Sequence, residues 1–427
     1  MKFKSVVAGV ATTAVAISLA ACSSPETSEE VTTLTLWHNS ADTPAVLDLY
    51  ERFEAETGIH LELVDIPSDA FETTTTTKWA TGDRPDILEY HPTRSALFAL
   101  NPAQNMQDLS DMDYVAKSGD LYKSMGSVDG TVYAAITGFP SIFGIYYNKA
   151  VLADAGLEPP TSFGDLSSIC DALAGTGTAP IYESGGSAWP TQILPLLYVS
   201  DANEADAYGS AIAANEQSLA DPDGAFEQGL EAYAGLRDQG CFNADATSAT
   251  FENALASVYD GSAAMTALHS DAYAVLLAAA GGDAAALDAT IGFVPVSAES
   301  PVAAYASAPI GTFYAPKTGD AAREAAAREF IAFATGAGYQ QLVDAGPSFP
   351  VIDGAETPTD FSELQLAFKA AYDGGATVAV NSNVAGFGAF VTETSKLLAG
   401  QTTPADAAAS MQDQVEQASV AAGIPGW

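Results

Sequence analysis

The sequence predicts an α/β protein built from more than one unit, and three observations lead there. Segments of strand character alternate with segments of helical periodicity from Leu34 onward. The chain has 427 residues, and at about 150 residues per domain two or three units are expected. Two strands end abruptly on aromatic and polar groups, at Trp37-His38-Asn39 and at Glu89-Tyr90-His91. Open parallel sheets bind ligands at that end.

Leu34, Thr35 and Leu36 open the first strand. Thr43 to Thr57 follows as a helix, with Val46, Leu49, Tyr50 and Phe53 on one stripe, Asp42 or Thr43 as cap, Pro44 in the first turn and Gly58 past the end. Leu61 to Ile66 is the second strand, so the unit is a right-handed βαβ with parallel strands. Ser68 to Ala80 reads as a second helix, with Asp69 and Glu72 at capping-box spacing. Its threonine run is a weak helix former, so packing by Phe71 and Trp79 must hold it. Gly82 and Pro85 turn the chain into a third strand, Asp86 to Glu89.

A second αβ region starts at Gly138, with a strand over Phe143 to Tyr147, a helix over Lys149 to Ala155, and a helix opened by Thr161 or Ser162 that carries Leu166, Ile169, Cys170 and Leu173. Alanine-rich helices fill 201–289. "IGFVPV" and "APIGTFYAP" are late strands, and Arg323 to Thr335 is a helix with Glu324 and Arg328 at i,i+4 spacing.

Fifty-four acidic residues against fifteen basic ones give a formal charge of −39, so nucleic acids and other polyanions are repelled. The 48% apolar and 9% aromatic content is that of a folded chain rather than a disordered one. Lys2 and Lys4 before an apolar run from Val6 to Ala21 read as an export signal, a run short for a spanning helix. Leu19-Ala20-Ala21-Cys22 resembles the bacterial lipoprotein signal, which implies removal of residues 1–21, lipidation of Cys22 and a polar tether over 22–32. Cys170 and Cys241 are then an even pair in an exported chain and are expected to be disulfide-bonded.

Several stretches come in the order found in one family: "LTLW", "FEAETGI", "ATGDRPDI", "DGTVYAA", "GIYYNKAVLADAGLEPPTSFGDL", "GSAAM" and "AREFIAFATGAGYQQLVDAGPSFPV". Together they resemble the extracellular solute-binding proteins of importers driven by ATP, the group that includes maltose-binding protein. The resemblance implies a two-lobe periplasmic-binding-protein fold, type II-like, with the ligand in a cleft between the lobes. It sets lobe 1 at 33–139 and 298–347 and lobe 2 at 140–297 and 348–427. The crossings fall near Phe139 to Gly144, Val296 to Ala304 and Ser348 to Val351, where Gly138, Pro140 and Gly144 suit a hinge. It further implies a monomer on the outer face of the cell membrane that hands its cargo to permease subunits, with no cofactor and no catalysis.

A sugar offers apolar faces and hydroxyl edges, so its site needs flat rings beside carboxylates, amides and imidazoles. Expected ligand contacts in the first lobe are Trp37, His38, Asn39, Glu89, Tyr90, His91 and Arg94. Phe139 stands at the first crossing. Glu183, Trp189, Met265, His269, Phe313, Tyr314 and Phe387 complete the set. Few basic groups stand near these positions, which favours a neutral di- or oligosaccharide over a phosphorylated solute. Polyols, glycerol phosphates and peptides stay open as ligands. So does a glycoside-acting enzyme, because abundant acids make a carboxylate pair easy to find. A metal site is not expected, since no spacing links His38, His60, His91 and His269, and Tyr146 and Tyr147 point to opposite faces of a strand.

Overall fold

The computed structural model describes residues 31–427 except 120, 308, 309, 347 and 425. The expected export signal and Cys22 lie outside the described residues. The chain begins with β1 (Thr33–Asn39), α1 (Pro44–Thr57) and β2 (His60–Ile66). β1 and β2 pair in parallel, from Thr33 opposite His60 to Asn39 opposite Ile66. Helix α1 is set by its ends: Thr43 accepts the Val46 N–H, Pro44 fills the first turn, and Gly58 turns left-handed to close on the Glu54 carbonyl. Its stripe of Val46, Leu49, Tyr50 and Phe53 is buried.

After a 3-10 turn over Ser68–Ala70 comes α2 (Phe71–Ala80). Trp79 anchors it, buried with its indole N–H donating to the Leu100 carbonyl at 3.0 Å. β3 (Ile87–Glu89) lies parallel to β1. Asp86, just before it, accepts both the N–H and the hydroxyl of Thr35 and is gripped by the Arg323 guanidinium. The aspartate of the Pro-Asp-Ile stretch is therefore a buried structural tie between strands.

The remaining elements that frame the site are α3 (Arg94–Leu100), β4 (Ala134–Ile136), β5 (Ser141–Asn148), α4 (Phe163–Leu173), β6 (Ala179–Ile181) and α5 (Ala225–Asp238). Next come β7 (Ala263–His269), β8 (Ile291–Val294), β9 (Ala304–Ala306), β10 (Thr312–Tyr314), α6 (Ala321–Ala334) and α7 (Tyr339–Ala345). The last are α8 (Glu363–Asp373), β11 (Thr377–Val378), α9 (Val380–Asn383) and α10 (Phe390–Leu398).

The strands form two main sheets. One runs β2-β1-β3-β10-β4, with β10 antiparallel to both neighbours, and the other runs β11-β9-β5-β7-β6, with β8 also against β5. The chain leaves the first sheet after β4, returns for β10 and leaves again before β11. That interleaving makes two lobes joined by several connections, with one buried core that runs from the first sheet onto Tyr146, Leu268 and Phe293 of the second and another confined to the second lobe. Phe53, Phe313 and Phe330 sit in the first core, and Phe226, Tyr233 and Phe390 in the second.

Three local expectations fare differently in the structure. Cys170 and Cys241 are bonded, with Cα atoms 5.2 Å apart, tying α4 to the segment after α5. Glu324 and Arg328 do not pair: Glu324 accepts the N–H groups of Thr318 and Gly319, and Arg328 reaches Asp111. Both find backbone partners as well, the two N–H groups for Glu324 and the Asp108 carbonyl for Arg328, while an exposed i,i+4 ion pair is worth little. Gly144 is inside β5, where a Cβ would run into the Phe293 ring, so packing demands the glycine there.

Candidate functional site

Two adjoining cavities, of about 520 and 430 Å³, open between the sheets and share Glu72, His91, Trp189 and His269. The first lobe supplies Asn39 from the end of β1, Phe71 and Glu72 from the start of α2, and His91 two residues past β3. The second supplies Trp189 and Gln192 from a 3-10 turn, His269 and Asp271 from the end of β7, and Asn381, Ser382 and Phe387 around α9. Ligand sites are concave and combine apolar walls with a few convergent polar groups, and this cleft does both.

Each imidazole has its own carboxylate. His91 Nε2 stands 3.1 Å from Glu72 Oε1. The hydrogen bond from His91 holds the Glu72 carboxyl below the usual carboxylate range, against a smaller opposing effect of burial. Across the cleft, His269 Nδ1 is 3.6 Å from Asp271 Oδ2. The His269 ring stacks on Trp189, with centroids 4.7 Å apart and planes 28° apart, and Phe251 tilts against the same indole at 5.7 Å. The imidazole and indole thus form one flat, braced surface. Its loop is pinned to β5: the Tyr146 hydroxyl donates to the His269 carbonyl, Ser141 donates to Asp271, and the Ile142 N–H reaches Ser270. Among the described residues, neither cavity is lined by a lysine or an arginine.

Of the expected contacts, the structure brings together Asn39, His91, Trp189, His269 and Phe387. The others lie elsewhere. Trp37 is buried in the first core with the Lys78 ammonium 4.6 Å from its ring. His38 is buried between Asp42 and Asp65, each 2.9 Å away. Burial is the largest single influence on that imidazole and lowers its pKa, yet Asp42, Asp65 and the Asn39 backbone together outweigh it, so the net shift is upward. Glu89 is fully buried, accepting the Asn39 and Gly311 N–H groups. Its removal from water pushes its carboxyl well above the usual range.

Tyr90 is buried beside Phe71, ring to ring at 5.9 Å. Arg94 lies over Phe98 and 3.9 Å from Asp129. Phe139 packs against Phe349 and Tyr372 and lines a separate cavity of about 760 Å³ among the connections between the sheets. Glu183 and Met265 belong to the interior of the second lobe. Phe313 is core, packed on Tyr50 and Phe330, and Tyr314 is equally buried, donating its hydroxyl to the His91 carbonyl at 2.8 Å. Tyr314 thereby holds a cleft residue without reaching the cleft.

The sequence reading missed Phe71, Glu72, Gln192, Asp271, Asn381 and Ser382. A signal existed for three of them. Asp271 follows His269 by two residues, and Asn381-Ser382 sits in a polar run inside an apolar stretch. Among the described residues, no three His, Cys, Asp or Glu side chains converge so as to hold a metal ion.

A family model described as bacterial extracellular solute-binding protein matches residues 38–341. The chain belongs to that family. It is a solute-binding protein, not an enzyme. Among curated relatives, a multiple sugar-binding protein of Streptococcus mutans is 22% identical over 201 residues, 45% of this chain and 47% of that protein. A putative periplasmic-binding protein of an ABC transporter in Escherichia coli is 26% identical over 148 residues, 34% of each chain. The matches thus span half or less of those relatives. Among solved structures, a chitin oligosaccharide binding protein superposes with a TM-score of 0.75 at 20% identity, covering 91% of this chain and 99% of that one. The raffinose complex of a solute-binding protein superposes with a TM-score of 0.68 at 19% identity, covering 90% and 99%. These likenesses fix the fold of the solute-binding protein as two-lobed α/β.

Proposed function

We propose that this solute-binding protein captures a neutral di- or oligosaccharide in the cleft between its lobes and delivers it to the permease of an ABC importer. The observation that carries this reading is the composition of the cleft. A braced Trp189–His269 surface and the rings of Phe71 and Phe387 face carboxylates, an imidazole and amides, with no lysine or arginine among the described residues of the lining. Flat apolar surface suits the C–H faces of a sugar, and Glu72, Asp271, Gln192 and Asn381 suit its hydroxyls. An anionic solute would meet two carboxylates and no fixed cation in that lining, which argues against sugar phosphates and glycerol phosphates. The solved structures that resemble the chain include proteins described as binding chitin oligosaccharide, raffinose and galactopyranose, which supports the sugar reading.

The protein works as a monomer, exported and anchored through a lipidated Cys22. A Cys22→Ser chain that still fractionates with membranes would remove the anchor from this account. The ligand is tested by thermal shift over raffinose, chitin oligosaccharides, galactose, glycerol, glycerol 3-phosphate and short peptides. At 100 times its dissociation constant a ligand stabilises by about 2.7 kcal/mol. A shift with a sugar and none with glycerol 3-phosphate or a peptide is expected. The opposite pattern would overturn the reading.

A further inference from the structure

An unbroken run of hydrogen bonds leads from the floor of the cleft to two of the connections between the lobes. The Asn39 N–H donates to Glu89 Oε2 at 2.9 Å, and the Gly311 N–H donates to Glu89 Oε1 at 2.7 Å. The Gly311 carbonyl then accepts both the N–H and the hydroxyl of Thr137, at 3.0 and 2.7 Å. The Thr137 carbonyl accepts the Tyr339 hydroxyl at 3.2 Å, and the Tyr339 oxygen accepts the Val351 N–H at 2.8 Å. Glu89, Gly311, Thr137 and Tyr339 are all buried, so water does not compete for these bonds.

The positions of these residues give the run its meaning. Thr137 is the residue after β4, four short of the first residue of β5 in the other sheet. Val351 lies between α7 and α8. One phenol in the first lobe therefore holds both strands of chain just before they pass to the second.

Further bonds keep the later segment on the same side: the Asp353 N–H reaches the Lys117 carbonyl at 2.7 Å, and Gln340 bonds Glu356 in both directions. Glu363 and Leu364, whose N–H groups donate to Asp288, then tie the backbone to the second lobe, whose Lys369 already reaches the Phe349 ring earlier in the segment. The backbone hydrogen-bond partners of this segment thus change from the first lobe to the second between Glu356 and Glu363. Gly311 is a link at which any side chain would be strained. Its φ is +75°, and a Cβ there would stand 2.8 Å from the Thr137 hydroxyl oxygen.

We infer that Glu89, Gly311, Thr137 and Tyr339 act as one positioning unit, which couples the cleft floor at Asn39 to the first and third connections and sets how readily the cleft opens. A cleft between two lobes opens only by torsion of the chain that joins them. Residues clamped at the lobe boundary decide where that torsion is absorbed. Release of Tyr339 should therefore be felt at Asn39 and Gly311, which it does not touch. The inference holds for whatever solute the cleft takes, because its readouts use the ligand-free chain.

The test is amide hydrogen exchange with small-angle scattering on the ligand-free full-length protein, comparing Tyr339→Phe with Tyr114→Phe. Tyr114 is a buried tyrosine of the same lobe whose hydroxyl donates to the Ala134 carbonyl at 2.8 Å, off the run. Both variants should melt at a lower temperature. Only Tyr339→Phe should speed exchange at Asn39 and Gly311 by on the order of tenfold and broaden the distribution of interatomic distances. Equal exchange at Asn39 and Gly311 in the two variants would reduce Tyr339 to an ordinary buried hydrogen bond and overturn the inference. Glu89→Gln reads the run from its other end and serves if Tyr339→Phe does not fold. Faster exchange at Val351 is expected, and exchange unchanged from the native chain there would equally refute the coupling.

Discussion

Glu183 should make the protein less stable as pH rises through the weakly acidic range, and the size of the effect follows from its surroundings. The side chain follows β6 and is 4% exposed. Oε1 accepts the Ser184 N–H at 2.8 Å and Oε2 accepts the Tyr233 hydroxyl at 3.1 Å. Burial pushes the carboxyl up to about 7 from 4.5, and those two hydrogen bonds only partly offset it. Below pH 4.5 both folded and unfolded chains hold the proton. Between 4.5 and about 7 the unfolded chain releases it while the folded chain keeps it, so stability falls as pH rises. Above about 7 the loss is complete. Each tenfold difference in proton affinity between the two states is worth about 1.4 kcal/mol, so the loss amounts to about 3 kcal/mol.

Glu183→Gln keeps the shape and one acceptor but removes the titration. Urea unfolding of both proteins at constant salt, in steps from pH 4.5 to 8.5, should show the variant gaining on the native chain by about 3 kcal/mol, nearly all of it below pH 7. A difference that stays flat across that range would refute the burial argument. So would one that grows toward acid pH, since it would mean that the folded state favours the carboxylate.

Three further outcomes follow from the same structure. Trp189→Ala removes the support of the His269 ring and should weaken binding of the sugar found by thermal shift at least tenfold by calorimetry; an unchanged dissociation constant would take Trp189 out of the site. Opening the disulfide in a Cys170→Ala, Cys241→Ala chain frees a loop with a separation of 71 residues, and the urea midpoint should fall by the equivalent of about 4 kcal/mol, with no change expected only if the reduced unfolded chain were already as constrained. Asp86→Asn leaves Arg323 without its carboxylate. A fully buried pair would lose about 3–5 kcal/mol, but the Arg323 side chain is 35% exposed, so a loss of about 2 kcal/mol is expected in the same assay, and one under about 0.5 would show the tie to be solvent-screened.

The fold was legible where local chemistry and burial agree. Helix α1 announces its cap, its proline and its closing glycine in sequence, and all three do what their types suggest. Ser162 does the same for α4, where it forms a capping box with Asp165. The true partners of Glu324 and Arg328 were not legible, because an i,i+4 spacing says nothing about the loop carrying Asp111 or the turn at Thr318. Long-range partners decide such cases, and a single sequence does not display them.

The site was legible by region and not by residue, for a reason found in the strands themselves. The centre of the first sheet is covered on both faces, unlike its edge strand β2, so every residue of β3 and β10 is buried and β1 is buried from Leu36 to its end. In such strands an indole, a carboxylate or a phenyl ring near the end is still inside, as Trp37, Glu89 and Phe313 are. Asn39 and His269 reach the cleft from the last position of their strands, but elsewhere the side chain reaches it only once the chain has run past the sheet. His91 does so two residues beyond Glu89, and Asp271 two beyond His269. The carboxyl-end rule for open sheets therefore locates the cleft correctly but overstates what the strand termini contribute. Glu89 shows what that terminal residue does instead: from within the core it holds the backbone of Asn39 and Gly311 in place. A carboxylate read from sequence as a ligand contact is, in this fold, better understood as the fixture on which the contact residues are mounted.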